Sequence, residues 1–518
     1  MAKNSLESTV ILVVFLAAVL WSLGVASFGW SHAISDAYGW RQTQTAITAY
    51  FMQQGGPWLN YETPVLGPPW ALPHEFPVYQ LVVAALANIT GLQLEAAGRA
   101  VSLGFFYATL AVAYLLFAEL GVSPRHRLLV LSFWLVSPLY LFWSRTFMIE
   151  STALFLSLAF LTFGGRFFAR GRHLDLVTAV LAGGFAFAVK PPTVMVFAGL
   201  AVLWWFVLQR RRGYHLTPAL LGAFVIVLPL VAGWTWHRHA DALKRLNTFG
   251  WAWTSDAMWR DWVLGPSGVR SQISEWQLLW VRTVPETVGH VTVVAAAALG
   301  ILVAGRLRAV FLLALAAFVG HFAAFLHLHL SHAYYAYGMG VFLLAAVGFS
   351  AVALLECGDA RRYLGWVLAV LVATLCLDGY LTRMLPIQLR NAYRKPAWFV
   401  RLAEALAQVT RPRDVIVGFG LNWNPEVPYY ARRRALMWPG WGDPSPDGKD
   451  VAKVLASLEG YTVGALFTCS PDTPEPTLAR MRERWGLADS PTHELPSGSP
   501  WRRCVVFARR PAGSVPPG

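Results

Sequence analysis

Eleven long apolar runs, several joined by short arginine-bearing loops, leave this chain few folds to choose from. The runs lie at 9–29, 100–118, 128–143, 146–163, 174–189, 191–208, 216–236, 288–305, 309–328, 333–355 and 363–381. Hydrocarbon offers the backbone no hydrogen bonds, so only helices and closed barrels cross it, and continuous apolar runs are the helical pattern. The first run also has the look of a signal peptide. It is long, no small-residue cleavage site follows it cleanly, and further spans come later, so it reads as an anchor. Composition agrees. Hydrophobic residues make up 56% of the 518 positions and charged residues 14%, against about 25% charged in soluble domains. One soluble core cannot hide so much apolar surface. Four Cys are too few for a disulfide scaffold, and 14% aromatic content is too much for a disordered chain.

Charge sets the topology. Arg125 and Arg127, then Arg166, Arg170 and Arg172, then Arg210–Arg212, Arg306 with Arg308, and Arg361 with Arg362 fall in alternate connecting loops. Cytoplasmic loops carry the excess of Lys and Arg, and one parity places all five inside, with Lys3 and the N-terminus. This accounts for the net charge of +14 (42 cations less 28 anions) without nucleic acid. Counting the apolar segment Phe76–Thr90 as a span would invert every later loop. It is also short for a crossing, so it is expected to be an interfacial or re-entrant helix on the outer side, with a twelfth span as the alternative. Three regions are then outside: 30–96, 237–287 and everything after 381. The sequence thus predicts a transmembrane domain over 1–381 and a C-terminal soluble domain over 382–518 on the outer face.

The tail reads as an α/β unit. Helices are expected over Ala397–Gln408, Val451–Leu458 and Leu478–Trp485, and strands over Asp414–Gly418, Val463–Thr468 and Cys504–Ala508. The final segment 511–518 reads as disordered. Cys469 and Cys504 lie at or near two strands in an oxidising compartment. A disulfide and two separate buried thiols are equally compatible with that placement. Cys357 and Cys376 read as inert.

The polar residues that stand out cluster at the outer ends of spans. Asp36 follows the first run and is suited to act as a base at the membrane surface; capping a helix over Gly39–Met52 is its structural alternative. Arg41, on that helix, has the fork to bind a phosphate, with interfacial snorkelling as the alternative. His74 and Glu75, bracketed by Pro73 and Pro77, are two ligands of the kind a divalent cation takes, or an ordinary solvated pair. Arg145 and Glu150 are five residues apart, and an acid opening an apolar run is by default functional; a salt bridge between the two is the alternative. Lys190 precedes Pro-Pro on the outer side, where snorkelling or an anionic head group would explain it. His321, His327, His329 and His332 crowd one region with His-x-His spacing like that of metal ligands, although His327 and His329 would point to different faces of a helix. The loop 237–287 is rich in Trp, as expected of an interfacial helix or of a stacking platform for a sugar or polyprenyl chain.

In this order the pieces resemble a GT-C glycosyltransferase, and more closely the bacterial family of protein O-mannosyltransferases and the lipid A aminoarabinose transferase. The resemblance rests on an acid after span 1, the Pro-preceded segment HEFPVYQLVVAAL, R-x-x-x-x-E from Arg145 to Glu150, Lys190 before Pro, His332 with Tyr334 and Tyr335 at a late span, and an outer α/β domain. The chain departs from the family where WRQTQTA occupies a helix start that often carries Asp-Glu, where His74-Glu75 stands for a more usual Lys, and where Glu150 replaces the commoner Asp.

What the resemblance implies is a bacterial inner-membrane enzyme that transfers a sugar, with inversion, from a polyprenyl-phosphate donor to a hydroxyl of a lipid, glycan or protein acceptor on the outer face. Asp36 would be the base, and Lys190, Arg145 and Arg41 would stabilise the leaving phosphate. Glu75 with His74 or His332 would hold a divalent metal ion or orient the sugar, while Tyr335 would line the site and Glu150 would be a second catalytic acid. No nucleotide cofactor is implied, and neither a P-loop nor a dinucleotide fingerprint is present. The competing class is a transporter or flippase of lipid-linked sugars, which usually shows repeats and midplane charges.

Overall fold

The computed structural model describes residues 2–213, 216–357, 360–393, 397–497 and 503–509. The terminal segment 511–518 lies outside them. The chain forms two compact units: Met1–His32, Gly98–Trp236 and Met258–Ala392 in one, and Ala33–Ala97, His237–Ala257 and Tyr393–Gly518 in the other.

The first unit is a bundle of apolar helices, and each of the eleven expected runs is largely helical. Fewer of them pass as complete spans. Among the described residues, seven single helices are long and apolar enough to cross a membrane: Leu6–Ser27, Leu94–Glu119, Glu150–Arg170, Pro191–Arg212, Leu220–Lys244, Ala333–Glu356 and Arg361–Arg390. Ile273–Val288 and Val291–Ala304 add an eighth if taken as one span, although they bend by 74° at their junction. The difference from eleven lies in breaks and in short helices. Pro138 pushes Ser137 into an extended conformation, as a residue before proline must be, so one expected span becomes Pro124–Val136 and Pro138–Trp143. His173–Val189 and Arg308–Ala324 each have 17 residues. The bend near 289 requires glycine. Gly289 has φ +82, and a Cβ there would meet the Leu375 backbone at 2.2 Å. Ile273–Val288 is helical within a stretch that the sequence assigned to an outer loop. Val78–Thr90 has 13 residues, too few to cross.

The second unit holds a five-stranded sheet of order β2-β1-β3-β5-β4, with β1 Val415–Phe419, β2 Arg434–Met437, β3 Val463–Thr468, β4 His493–Pro496 and β5 Arg503–Ala508. β1 pairs in parallel with β2 and β3, and β5 is antiparallel to β3 and β4. Helices Trp398–Val409, Glu426–Ala431, Lys449–Ser457 and Glu475–Trp485 accompany it. Phe399, Leu402, Leu406, Ile416, Ala465 and Phe467 form the core between helix and sheet. Cys469 and Cys504, one step beyond the β3–β5 ladder, form a disulfide. Cys357 and Cys376 are free thiols.

A segment of the first expected outer loop covers the β2 edge. Ala435 donates to Pro64, Met437 donates to Val65, and Gly67 donates back to Ala435. Arg434 forks onto Glu62 with two bonds of 2.8 Å, and Tyr429 donates to Glu95 at 2.7 Å. An exposed strand edge is a template for wrong pairing, and this one is occupied.

Candidate functional site

Two constellations contain the residues singled out in the sequence, one in each unit. In the second unit, Tyr38 takes the left-handed conformation (φ 57) and its carbonyl accepts the first turn of helix Gly39–Gln53, with no side-chain cap. The capping position is thus held by Tyr38, two residues after Asp36. Its half-buried carboxylate accepts from Gln42 Nε2 at 2.5 Å, and Gln42 also donates to the Ala37 carbonyl. The acid stands in the turn just before the helix, oriented by a neutral amide.

Arg41 points along the same helix. It donates to Gln44 and Thr45 and reaches Glu75 at 3.4 Å. Glu75 is buried and also accepts from Gln80 at 2.8 Å. Tyr61 locks the turn, because its hydroxyl donates to the Glu75 carbonyl and accepts from the His74 N–H. Burial pushes the Tyr61 hydroxyl well above the usual tyrosine range. The His74 ring packs on Trp253 at 4.5 Å between centroids. Burial, then the charges of Lys244 and Arg41, hold His74 well below the usual histidine range. Neither member is the solvated pair of the bland reading.

The sign of this shift gives a stability prediction. His74 is neutral in the fold and takes a proton more readily when unfolded. The unfolded chain therefore binds more protons between the depressed value and about 6.5, and stability rises with pH across that window and is flat above it. Melting temperatures from pH 5 to 7.5 are expected to show this slope in the wild type and a shallower one in His74→Gln.

In the first unit, Lys190 stands between helices His173–Val189 and Pro191–Arg212, out of the helical conformation that the following proline disfavours. It does not snorkel. It is only 8% exposed, forms an ion pair with Glu150, and lies 4.4 Å from the centroid of the Tyr335 ring. Glu150 is 2% exposed, in the first turn of Glu150–Arg170, where an anion suits the helix dipole. The alternative Arg145–Glu150 bridge is not what forms, because Arg145 is buried and donates to the Phe28 carbonyl at 2.8 Å. Its turn closes over glycine: a Cβ on Gly98 would lie 2.2 Å from the Phe147 ring.

His332 is buried among aromatic rings. Its ring is 5.1 Å from Trp262, 5.2 Å from Tyr334 and 5.8 Å from Tyr335. Trp262 Nε1 donates to the Tyr335 hydroxyl at 3.4 Å. The other histidines part company. His321 and His329 pair at 2.9 Å, with the second His321 nitrogen bonded to the Pro192 carbonyl. His327 lies against Gly265.

The donor set does not suit a metal. Among the described residues no three His, Cys, Asp or Glu side chains converge as ligands, and Glu75 is already engaged by Arg41 and Gln80.

Sequence reasoning missed three partners: Gln42, Tyr61 and Trp262. Gln42 lies in WRQTQTA, where an acid was sought. Tyr61 and Trp262 act by tertiary contact, which leaves no pattern in the chain.

No family model matches the sequence, and no curated protein does. Solved structures do. The chain is similar to ArnT from Cupriavidus metallidurans in the apo state, with a TM-score of 0.61 and 16% identity over 98% of each chain. It is also similar to ArnT bound to undecaprenyl phosphate, with a TM-score of 0.56 and 15% identity over 100% of this chain and 99% of that one. The archaeal oligosaccharyltransferase AglB from Archaeoglobus fulgidus, in complex with an inhibitory peptide and a dolichol-phosphate, gives a TM-score of 0.51 and 11% identity over 89% and 69%. The likeness is one of fold, shared with ArnT and AglB. The likeness to ArnT runs nearly the length of both chains.

Proposed function

We propose that this protein is an inverting glycosyltransferase that takes a sugar from a polyprenyl phosphate and passes it to an acceptor hydroxyl on the outer face of the membrane. The observation that carries the reading is the full-length likeness to a protein solved with undecaprenyl phosphate. The residue roles are those that the family resemblance implies.

Asp36 takes the proton from the acceptor hydroxyl. The oxygen attacks the anomeric carbon opposite the phosphate, the bond from that carbon to the phosphate oxygen breaks, and the electron pair leaves on the polyprenyl phosphate. The new bond has the inverted configuration. Lys190 stabilises the leaving phosphate, exchanging Glu150 for it. Arg145 and Arg41 add positive potential, and Arg41 with Gln80 holds Glu75 to orient the sugar. Tyr335 and His332 line the site. The N-terminus is cytoplasmic, the second unit lies outside, and the membrane is the bacterial inner membrane. The acceptor is a lipid, glycan or protein hydroxyl.

Polyprenyl phosphate should stabilise the folded protein. Saturation at 100 times Kd corresponds to about 2.7 kcal/mol. The expected result is a rise in melting temperature of the full chain in lipid nanodiscs that is absent with the neutral polyprenol and absent in Lys190→Met. An equal rise with the alcohol would show that the isoprenoid tail alone is recognised.

A further inference from the structure

The second unit contains an aromatic cluster that the transfer chemistry does not use. Trp423 packs edge-on against Trp40 (5.1 Å, 89°) and Trp253 (4.7 Å, 79°). Trp253 in turn meets His74 at 4.5 Å and Trp441 at 6.2 Å. Five separate stretches of chain supply these rings. Trp423 and Trp441 come from the loops that leave the C-terminal ends of the parallel strands β1 and β2, where ligands of open α/β sheets bind.

The loops are built to hold them. Asn422 sits in the left-handed region (φ 53), and its side-chain oxygen accepts from Trp423 N at 2.9 Å and Gly440 N at 2.8 Å, tying one loop to the other. Gly420 is required between them: at φ +81 a Cβ would meet Ser470 N at 2.6 Å.

Simple core packing does not account for the cluster. Trp40, Trp423 and Trp441 are only half-buried. Perpendicular rings leave faces that the neighbouring indole does not cover. Two polar atoms beside Trp253, His74 Nε2 and Trp441 Nε1, are sealed from solvent and have no hydrogen-bond partner among the described residues. Buried indole N–H groups usually find one. Flat aromatic faces flanked by unsatisfied ring nitrogens match one ligand chemistry well: a sugar ring, with C–H groups on its faces and hydroxyls at its rim.

We infer that Trp423, Trp441, Trp253, Trp40 and His74 form a cradle for a carbohydrate ring. The choice of carbohydrate rests on the transferase reading. The ring belongs to the donor or to the acceptor, and the test separates the two.

The test uses the full chain in nanodiscs and saturation-transfer NMR with a panel of methyl glycosides and envelope oligosaccharides. The expected result is saturation of ring C–H protons by the wild type. Affinity should weaken about threefold to tenfold in Trp423→Ala and be reduced in Trp441→Phe, which keeps a ring and removes the N–H. Trp251→Ala, an exposed indole on the same loop as Trp253, should match the wild type. Competition by a short-chain prenyl-phosphate sugar marks the ring as the donor's, and indifference marks it as the acceptor's. Saturation that is the same in Trp423→Ala and wild type, or that is absent from the wild type, overturns the cradle. Transfer activity is read in the same preparations. Transfer without contact at the cluster leaves the transferase reading standing and removes the cradle, whereas contact without transfer does the reverse.

Discussion

Asp36→Asn is expected to lower sugar transfer by about 10²- to 10⁴-fold, the range that a positioned general base contributes, without loss of folded protein. Asparagine has the same shape as aspartate, and its amide oxygen can still accept from Gln42 Nε2, which now meets Asp36 at 2.5 Å. The helix start is held at the Tyr38 carbonyl, so the melting temperature should move little. The loss should fall on the chemical step, with donor binding retained. A fully active Asp36→Asn protein would remove Asp36 as the base and leave Glu75 and Glu150 as the acids to test.

The second large effect concerns the ion pair of Lys190 and Glu150. Taking two charges out of water is costly, and removing one partner leaves the other buried without compensation, which destabilises by about 3–5 kcal/mol. Lys190→Met and Glu150→Gln should each unfold at markedly lower temperature. The double variant Lys190→Met/Glu150→Gln removes both charges and should recover most of that stability. It should not recover transfer, because the cation is gone. This separates a structural pair from a functional one: a double variant that regains activity with stability would show that the pair only holds the helices together. Cooperation between contacting residues of this kind is what a double-mutant cycle measures.

The legible parts of the fold were those written as long patterns. Apolar runs and alternate arginine loops marked the helices, and the three inner strands β1, β3 and β5 appeared as apolar runs. The edge strands were not legible. Arg434–Met437 has four residues and opens on the third of three consecutive arginines, and His493–Pro496 is largely exposed and ends in proline. Such segments become strands only because neighbours pair with them. The covering of β2 by residues 64–67 joins positions about 370 apart and has no local signal.

The site was legible as residue types at the ends of helices, but their partners were not. Lys190 was read as a lone outer cation, and Arg145 was weighed as the partner of Glu150. The Lys190–Glu150 contact spans 40 residues and depends on how two helices pack. The same applies to the Trp cluster: Trp253 was noted in its loop, but Trp40, Trp423 and Trp441 gain significance only from the fold that brings them beside it.

The most direct measurement follows the fate of the donor. The full chain in nanodiscs is given a panel of polyprenyl-phosphate sugars, radiolabelled in the sugar, with an envelope extract as acceptor. Free polyprenyl phosphate and the configuration at the new bond are read together. The account predicts that one polyprenyl phosphate is released for each sugar transferred, that the anomeric configuration is inverted, and that both signals vanish in Asp36→Asn. Passage of the intact lipid-linked sugar across the bilayer, with no cleavage of the sugar–phosphate bond, would contradict it and make the protein a transporter with a transferase fold.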